Sequence, residues 1–197
     1  MKDFLVDFEN LVTSVCGIYW MSTGGYRALM EEMNQVQKMQ IRQLRRKNPR
    51  NANMEFVDSL PCMYCEGDPN LPGAVALYSC SQKEYKEMNS ENGSNWQFIG
   101  KMCVITIYQY WEDYFRPEIA KQLGVEKDDI VSDIMGDLRL IRHSIIHRGG
   151  VALKEVENCK VLQWFREGDE ISIDENKFKK IIFLIKKSIH DENFIKT

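Results

Sequence analysis

The stretch Asp128-Asp129-Ile130-Val131-Ser132-Asp133-Ile134-Met135-Gly136-Asp137-Leu138-Arg139-Leu140-Ile141-Arg142-His143-Ser144-Ile145-Ile146-His147-Arg148 decides the reading of this chain, because it is a helix with two unlike faces. At about 100° per residue, Ile130, Ile134, Leu138, Ile141 and Ile145 gather on one side as a core stripe. His143 and His147 point the other way, four residues apart, and Arg139 stands four before His143. Met135, Gly136, Leu140 and Ile146 lie beside these basic residues. Apolar side chains mixed with cations suit an interface, including one between two copies of the chain. Carboxylates at Asp128-Asp129 favour a helix start there, and Gly149-Gly150 mark its end.

Outward from this helix the pattern stays helical. Phe4, Phe8, Leu11, Val15, Ile18 and Tyr19 recur every three or four residues and predict an amphipathic first helix. Gly24-Gly25 is expected to interrupt it. A second helix then runs from about Tyr26 to Lys47, with Leu29, Met33, Val36, Gln40 and Leu44 near heptad spacing. Its basic end, Arg42, Arg45, Arg46, Lys47 and Arg50, reads either as a solvated partner of the helix dipole or as a patch for RNA. Residues 51–93 hold Pro61, Pro69, Pro72 and many turn formers, which predicts an irregular insertion; Ala74 to Cys80 fits a short helix or a strand. Trp96, Ile99, Cys103, Ile107, Tyr110 and Tyr114 carry a helix towards Leu123, with Pro117 kinking it or starting a new turn and Gly124 capping it. Residues 161–165 and 170–173 flank Arg166-Glu167-Gly168-Asp169 and predict a small hairpin. Asp174 then caps a last helix built on Phe178, Ile181, Ile182, Ile185 and Ile189, with a solvated lysine face. The expected fold is all-α, a bundle of about five main helices in a single domain over 1–197, with an irregular insertion and a small β-hairpin before the last helix.

With 197 residues, 44% hydrophobic and 28% charged, the composition is that of a globular protein. A net charge of -3 supplies no global attraction to nucleic acid, so any such attraction is local. The apolar runs are too short for a membrane span and the N-terminus does not read as a signal peptide, which predicts a cytoplasmic protein with no membrane partner. Six cysteines in such a chain are expected as free thiols. Cys62-Met63-Tyr64-Cys65, with Cys80 beyond it, leaves structural zinc and a redox pair as alternatives, although no fourth ligand stands at zinc-site spacing.

Two of the three histidines fall within six residues, Arg142 to His147. Histidine titrates near neutrality and can take a proton from a ribose 2′-hydroxyl or give one to a leaving 5′-oxygen. Arginine grips phosphate oxygens and stabilises charge that develops on them. The set therefore fits RNA cleavage with the 2′-hydroxyl as internal nucleophile, which needs no metal or other cofactor, leaves a 2′,3′-cyclic phosphate and excludes DNA. A metal bound by His143 and His147 is an alternative, but no HExxH glutamate lies between them and no third ligand is evident. Packing of both histidines at a purely structural contact is another. Arg142 lies about 140° around the helix from His147, so a regular helix does not place them side by side; the long reach of arginine and an unwound last turn before Gly149-Gly150 would let them meet at one edge of the interface. A twofold axis through the histidine face would set a second Arg/His group opposite the first, making a composite site.

Arg142-His143, three residues and His147 resemble the R-x(4–6)-H signature of the HEPN superfamily. The order of elements is similar too: a long helix containing Trp111-Glu112-Asp113-Tyr114-Phe115-Arg116, the motif helix, then a final helix, over about residues 95–190. The resemblance implies a HEPN-like helical bundle, a homodimer through the motif helix and a metal-independent endoribonuclease, as in toxin–antitoxin or antiphage defence systems, with an antitoxin or a nucleotidyltransferase as further partner. Carried over by position, Arg142 orients and stabilises phosphate, His147 is the acid/base and His143 assists. Arg139 and Arg148, basic residues beside the motif, are candidates for binding RNA. The tyrosine that some members carry two residues after the motif histidine is Gly149 here, which puts nucleotidyltransferase control in doubt. Glu112 is either a hydrogen-bond partner of Arg142 or a surface carboxylate. The resemblance also admits a non-catalytic module that binds RNA or protein.

Overall fold

The structure, a computed structural model, describes residues 2–190. The protein is mostly α-helical, as expected, and divides into two compact units: residues 1–22 with 97–197, and residues 23–96. Helix α1, Lys2–Lys47, contributes to both. The expected break at Gly24-Gly25 is not there. Glycine in a helix interior costs only about 1 kcal/mol relative to alanine, and with no proline beside it the ladder runs on. The division between the units nonetheless falls at this weak point, between Ser22 and Thr23.

The first unit is built on the apolar stripe of α1. Phe8, Val12, Val15 and Tyr19 are buried against α4 (Ser94–Tyr110), α5 (Arg116–Leu123), α6 (Asp133–His147) and α7 (Glu175–Ile189). Phe8 packs on Trp111 and Phe115, at 5.2 and 5.0 Å between ring centroids, and Tyr19 stacks on Phe178 at 3.9 Å. Between α4 and α5, Trp111–Phe115 form one π-helical turn. Pro117 explains the change: its nitrogen has no hydrogen to give to a carbonyl one turn back, so it stands in the first turn of α5 and the ladder loosens before it. Gly124, at φ 69°, ends α5 as expected.

The motif helix begins at Asp133, later than its aspartates suggested. Asp129 accepts from the Glu126 N–H and closes a single 3-10 turn of its own, Lys127–Asp129, so those carboxylates cap the wrong turn for α6. At the far end Gly149 and Gly150 adopt φ of 60° and 90°, and the Gly150 N–H returns to the Ser144 carbonyl.

The hairpin expected over 161–173 does not form. Its turn exists, with Asp169 N–H bonded to Arg166 O, but the ladder beside it is missing. The N–H groups of Lys160, Val161 and Leu162 all donate to the Asp137 carboxylate, at 2.7–2.8 Å, and Ile173 N–H donates to Gln97 Oε1. Side-chain acceptors have taken the donors a ladder needs. The turn pairs instead with the segment after α6, through a single bridge between Val151 and Glu170. Near Gln97 the 173 backbone comes very close to α4: a Cβ on Gly100 would stand 2.7 Å from Ile173 O. Gly100→Ala is therefore expected to lower stability by about 1–2 kcal/mol despite its better helix propensity, read as a lower urea midpoint at unchanged m-value.

In the second unit, the insertion is more ordered than its composition suggested. It contains α2 (Met54–Asp58), strands β1 (Pro61–Glu66) and β2 (Val75–Ser81), and α3 (Gln82–Asn89). The undecided segment 74–80 is thus a strand, antiparallel to β1. Ser81 caps α3 in a reciprocal box with Glu84. On α1 the heptad residues are only partly covered, and Leu29 is exposed. Gln37 is fully buried, and its amide donates to Asp58 and accepts from Lys86, both at 2.8 Å. Lys86 also pairs with Asp58 at 2.8 Å, and its hydrogen bond holds the Asp58 carboxyl below its ordinary range. A polar cluster does here what an apolar stripe does in the first unit.

Candidate functional site

Helix α6 carries the site, and its register is fixed from the buried side. Ile134, Met135, Leu138 and Ile141 enter the core, and Ile145 packs partly against it. Met135, expected on the mixed face, is fully buried, and Leu140 is half-buried against the core. Only Ile146 of that apolar group is well exposed. Two polar residues of α6 are as buried as the isoleucines. Asp137 holds the 160–162 backbone, and Ser144 Oγ donates to Leu140 O while accepting the Leu153 N–H. Ser144, inside the motif, therefore anchors the chain that follows the helix rather than facing a substrate.

His143 and His147 are exposed and in contact, with ring centroids 4.5 Å apart, as four-residue spacing requires. Arg139 is exposed one turn before them, and Arg148 is exposed at the helix cap. Arg142 is held elsewhere. Its Nη2 donates to Gln109 Oε1 at 3.0 Å, and its guanidinium carbon lies 5.9 Å from the centre of the Tyr108 ring. Its Nε is buried and has no hydrogen-bond partner among the described residues. Gln109 in turn donates to Asp113. The structure thus brings the two histidines together and leaves Arg142 off their face, as the 140° separation predicted; α6 stays helical through His147 rather than unwinding, and Arg142 is held half-buried by α4.

Glu112 is not the partner of Arg142. It accepts from Arg116 at 2.9 Å, from Lys127 at 2.8 Å and from the Tyr108 hydroxyl at 3.2 Å. Burial raises its carboxyl pKa, but the Lys127 and Arg116 hydrogen bonds outweigh that and leave it below the ordinary value. Burial, followed by the nearby Glu112 charge, pushes the Tyr108 phenol up to about 12. Gln109, near the end of α4 and three residues before Glu112, makes the contact to Arg142 that was one of the two alternatives for Glu112. Beside this network a cleft of about 420 Å³ runs from Trp111 and Glu112 to Met135, Gly136 and Arg139.

Sequence reading missed Tyr108, Gln109 and Lys101. A Cβ on Gly150 would stand 3.1 Å from Lys101 Nζ, which places this cation at the turn that ends the motif helix. Nothing in the local pattern of α4 marks these residues; only their pairing with α6 does. No protein-family model matches the chain, and neither does any curated protein or solved structure. Among the described residues no group of three or more His, Cys, Asp or Glu is placed to hold a metal ion, and no helix is long and apolar enough to cross a membrane.

Proposed function

We propose that the protein is a HEPN-type endoribonuclease that cleaves RNA by attack of the 2′-hydroxyl, at a composite site between two copies of the motif helix. The observation that carries this reading is the exposed His143–His147 pair, two adjacent imidazoles at the end of a helix whose buried polar residues, Asp137 and Ser144, are structural. One imidazole removes the 2′-hydroxyl proton while an acid protonates the leaving 5′-oxygen, and His147 is assigned the acid/base role. Arg142 orients phosphate, with Arg139 and Arg148 as further cations along the strand. Within one copy, Arg142 is engaged by Gln109, so a second motif helix supplies the arginine or frees it.

The reading includes a homodimer through α6 and a role as toxin or antiphage effector, with an antitoxin or nucleotidyltransferase as partner. Incubation of the protein with single-stranded RNA in EDTA tests it. Fragments ending in 2′,3′-cyclic phosphate are the expected products, and RNA left intact would sink the proposal. The half-buried Arg142 favours a second reading, a non-catalytic module that binds RNA or protein through the same face. It predicts RNA retention with no cyclic-phosphate product.

A further inference from the structure

Three half-buried thiols, Cys62, Cys65 and Cys80, stand on β1 and β2 and play no part in the site on α6. The contiguous Cys62-Met63-Tyr64-Cys65 looks like the reactive pair in the sequence. On a strand it is not, because residues three apart project to opposite faces of the sheet. The register slips between Tyr64 and Cys65, but the extra residue, Leu77, lies on β2, since Tyr64 faces Tyr78 and Cys65 faces Ala76. The alternation along β1 is therefore kept.

Cys62 instead faces Cys80 directly across the ladder. The kind of pair follows from its neighbours. Gln82 N–H donates to Leu60 O at 2.8 Å, one pair beyond Pro61 and Ser81. Antiparallel pairs alternate, so Leu60/Gln82 and Cys62/Cys80 are both of the hydrogen-bonded kind, and Pro61 occupies the intervening pair, where no N–H is needed. Cα atoms in such a pair are about 5.5 Å apart, within the span of about 4.4–6.8 Å that a disulfide bridges. Burial, then the neighbouring Cys80, push the Cys62 thiol up.

We propose that Cys62 and Cys80 are a modification site that forms a reversible cross-strand disulfide by exchange with a low-molecular-weight disulfide such as oxidised glutathione. One thiolate attacks the glutathione disulfide, giving a mixed disulfide and releasing one reduced glutathione. The second thiolate then displaces the other glutathione and closes the Cys62–Cys80 bond. The two cysteines lose two electrons and two protons, which leave as the two glutathione thiols. The bond clamps the base of the hairpin, where Leu60 leaves α2 and Ser81 caps α3.

Treating the full chain with oxidised glutathione tests this. The expected result is loss of two hydrogens in the intact mass, with peptide mapping placing the link at Cys62–Cys80. Cys65→Ser keeps the link, and Cys62→Ser and Cys80→Ser each lose it and carry a glutathione adduct instead. In the oxidised protein, hydrogen exchange of the amides over 61–66 and 75–81 slows by roughly tenfold or more. Glutathione adducts without loss of two hydrogens, a link between Cys62 and Cys65, or a disulfide that survives Cys80→Ser would each overturn the proposal.

Discussion

Asp137→Ala is expected to destabilise the protein by about 3–5 kcal/mol, the largest effect of any single polar substitution on the motif helix. Asp137 is 2% exposed, and its two oxygens accept three consecutive backbone N–H groups, from Lys160, Val161 and Leu162. Alanine leaves those donors without an acceptor. Each unsatisfied buried N–H costs about 1–3 kcal/mol, and only the ones nearest solvent recover a bond to water. Leu162, itself 1% exposed, has the least access. For a chain of this length the loss corresponds to roughly 6–20 °C in melting temperature. Asp137→Asn keeps one acceptor oxygen but turns an amide NH2 towards an N–H, so it should recover only part of the loss. Thermal unfolding of both variants checks this, and a shift of only a degree or two for Asp137→Ala would mean that the 160–162 segment is not held in this way.

The second large effect is catalytic. His147→Ala should lower RNA cleavage by about 10²–10⁴-fold, the usual contribution of a positioned general acid or base, while retention of RNA changes little. The protein should fold normally, since His147 is exposed and packs on His143 alone among the ring contacts described. His143→Ala is expected to have a smaller effect on rate. Because the proposed site needs two motif helices, specific activity should also fall on dilution as dimers separate. Single-turnover cleavage assays at several protein concentrations measure both. Undiminished cleavage by His147→Ala would remove the histidine pair from the chemistry. A rate proportional to protein concentration over the whole range would remove the composite site.

The helices were legible because their signals are local. The spacing of Phe178, Ile181, Ile182, Ile185 and Ile189 states which face is buried before any partner is known; on the first helix Phe8, Val15 and Tyr19 are buried as their spacing predicted, but Ile18 is exposed and Val12, outside the expected stripe, is buried. The Asp174 cap and the Gly124 stop are equally local. Gly24-Gly25 misled because glycine weakens a helix without ending it. The hairpin at 161–173 misled for a different reason. Its alternation and turn are genuine sequence features, but Asp137, more than twenty residues away, captures the donors. No window over 161–173 contains that information.

At the site itself, sequence alone determined that His143 and His147 share one exposed face of a helix and that Arg142 does not. Helical geometry fixes those angles whatever surrounds them. Only the tertiary structure decided what Arg142 does, because Tyr108 and Gln109 reach it from α4 across a separation of more than thirty residues. It likewise separated the polar residues of the motif helix into those that face solvent and those, Asp137 and Ser144, that anchor neighbouring backbone. The cysteines follow the same rule: the CxxC spacing of Cys62 and Cys65 is visible in the sequence, but only strand register sets Cys80 opposite Cys62. Periodicity belongs to the chain, but hydrogen-bond and thiol partners belong to whichever segments packing brings together.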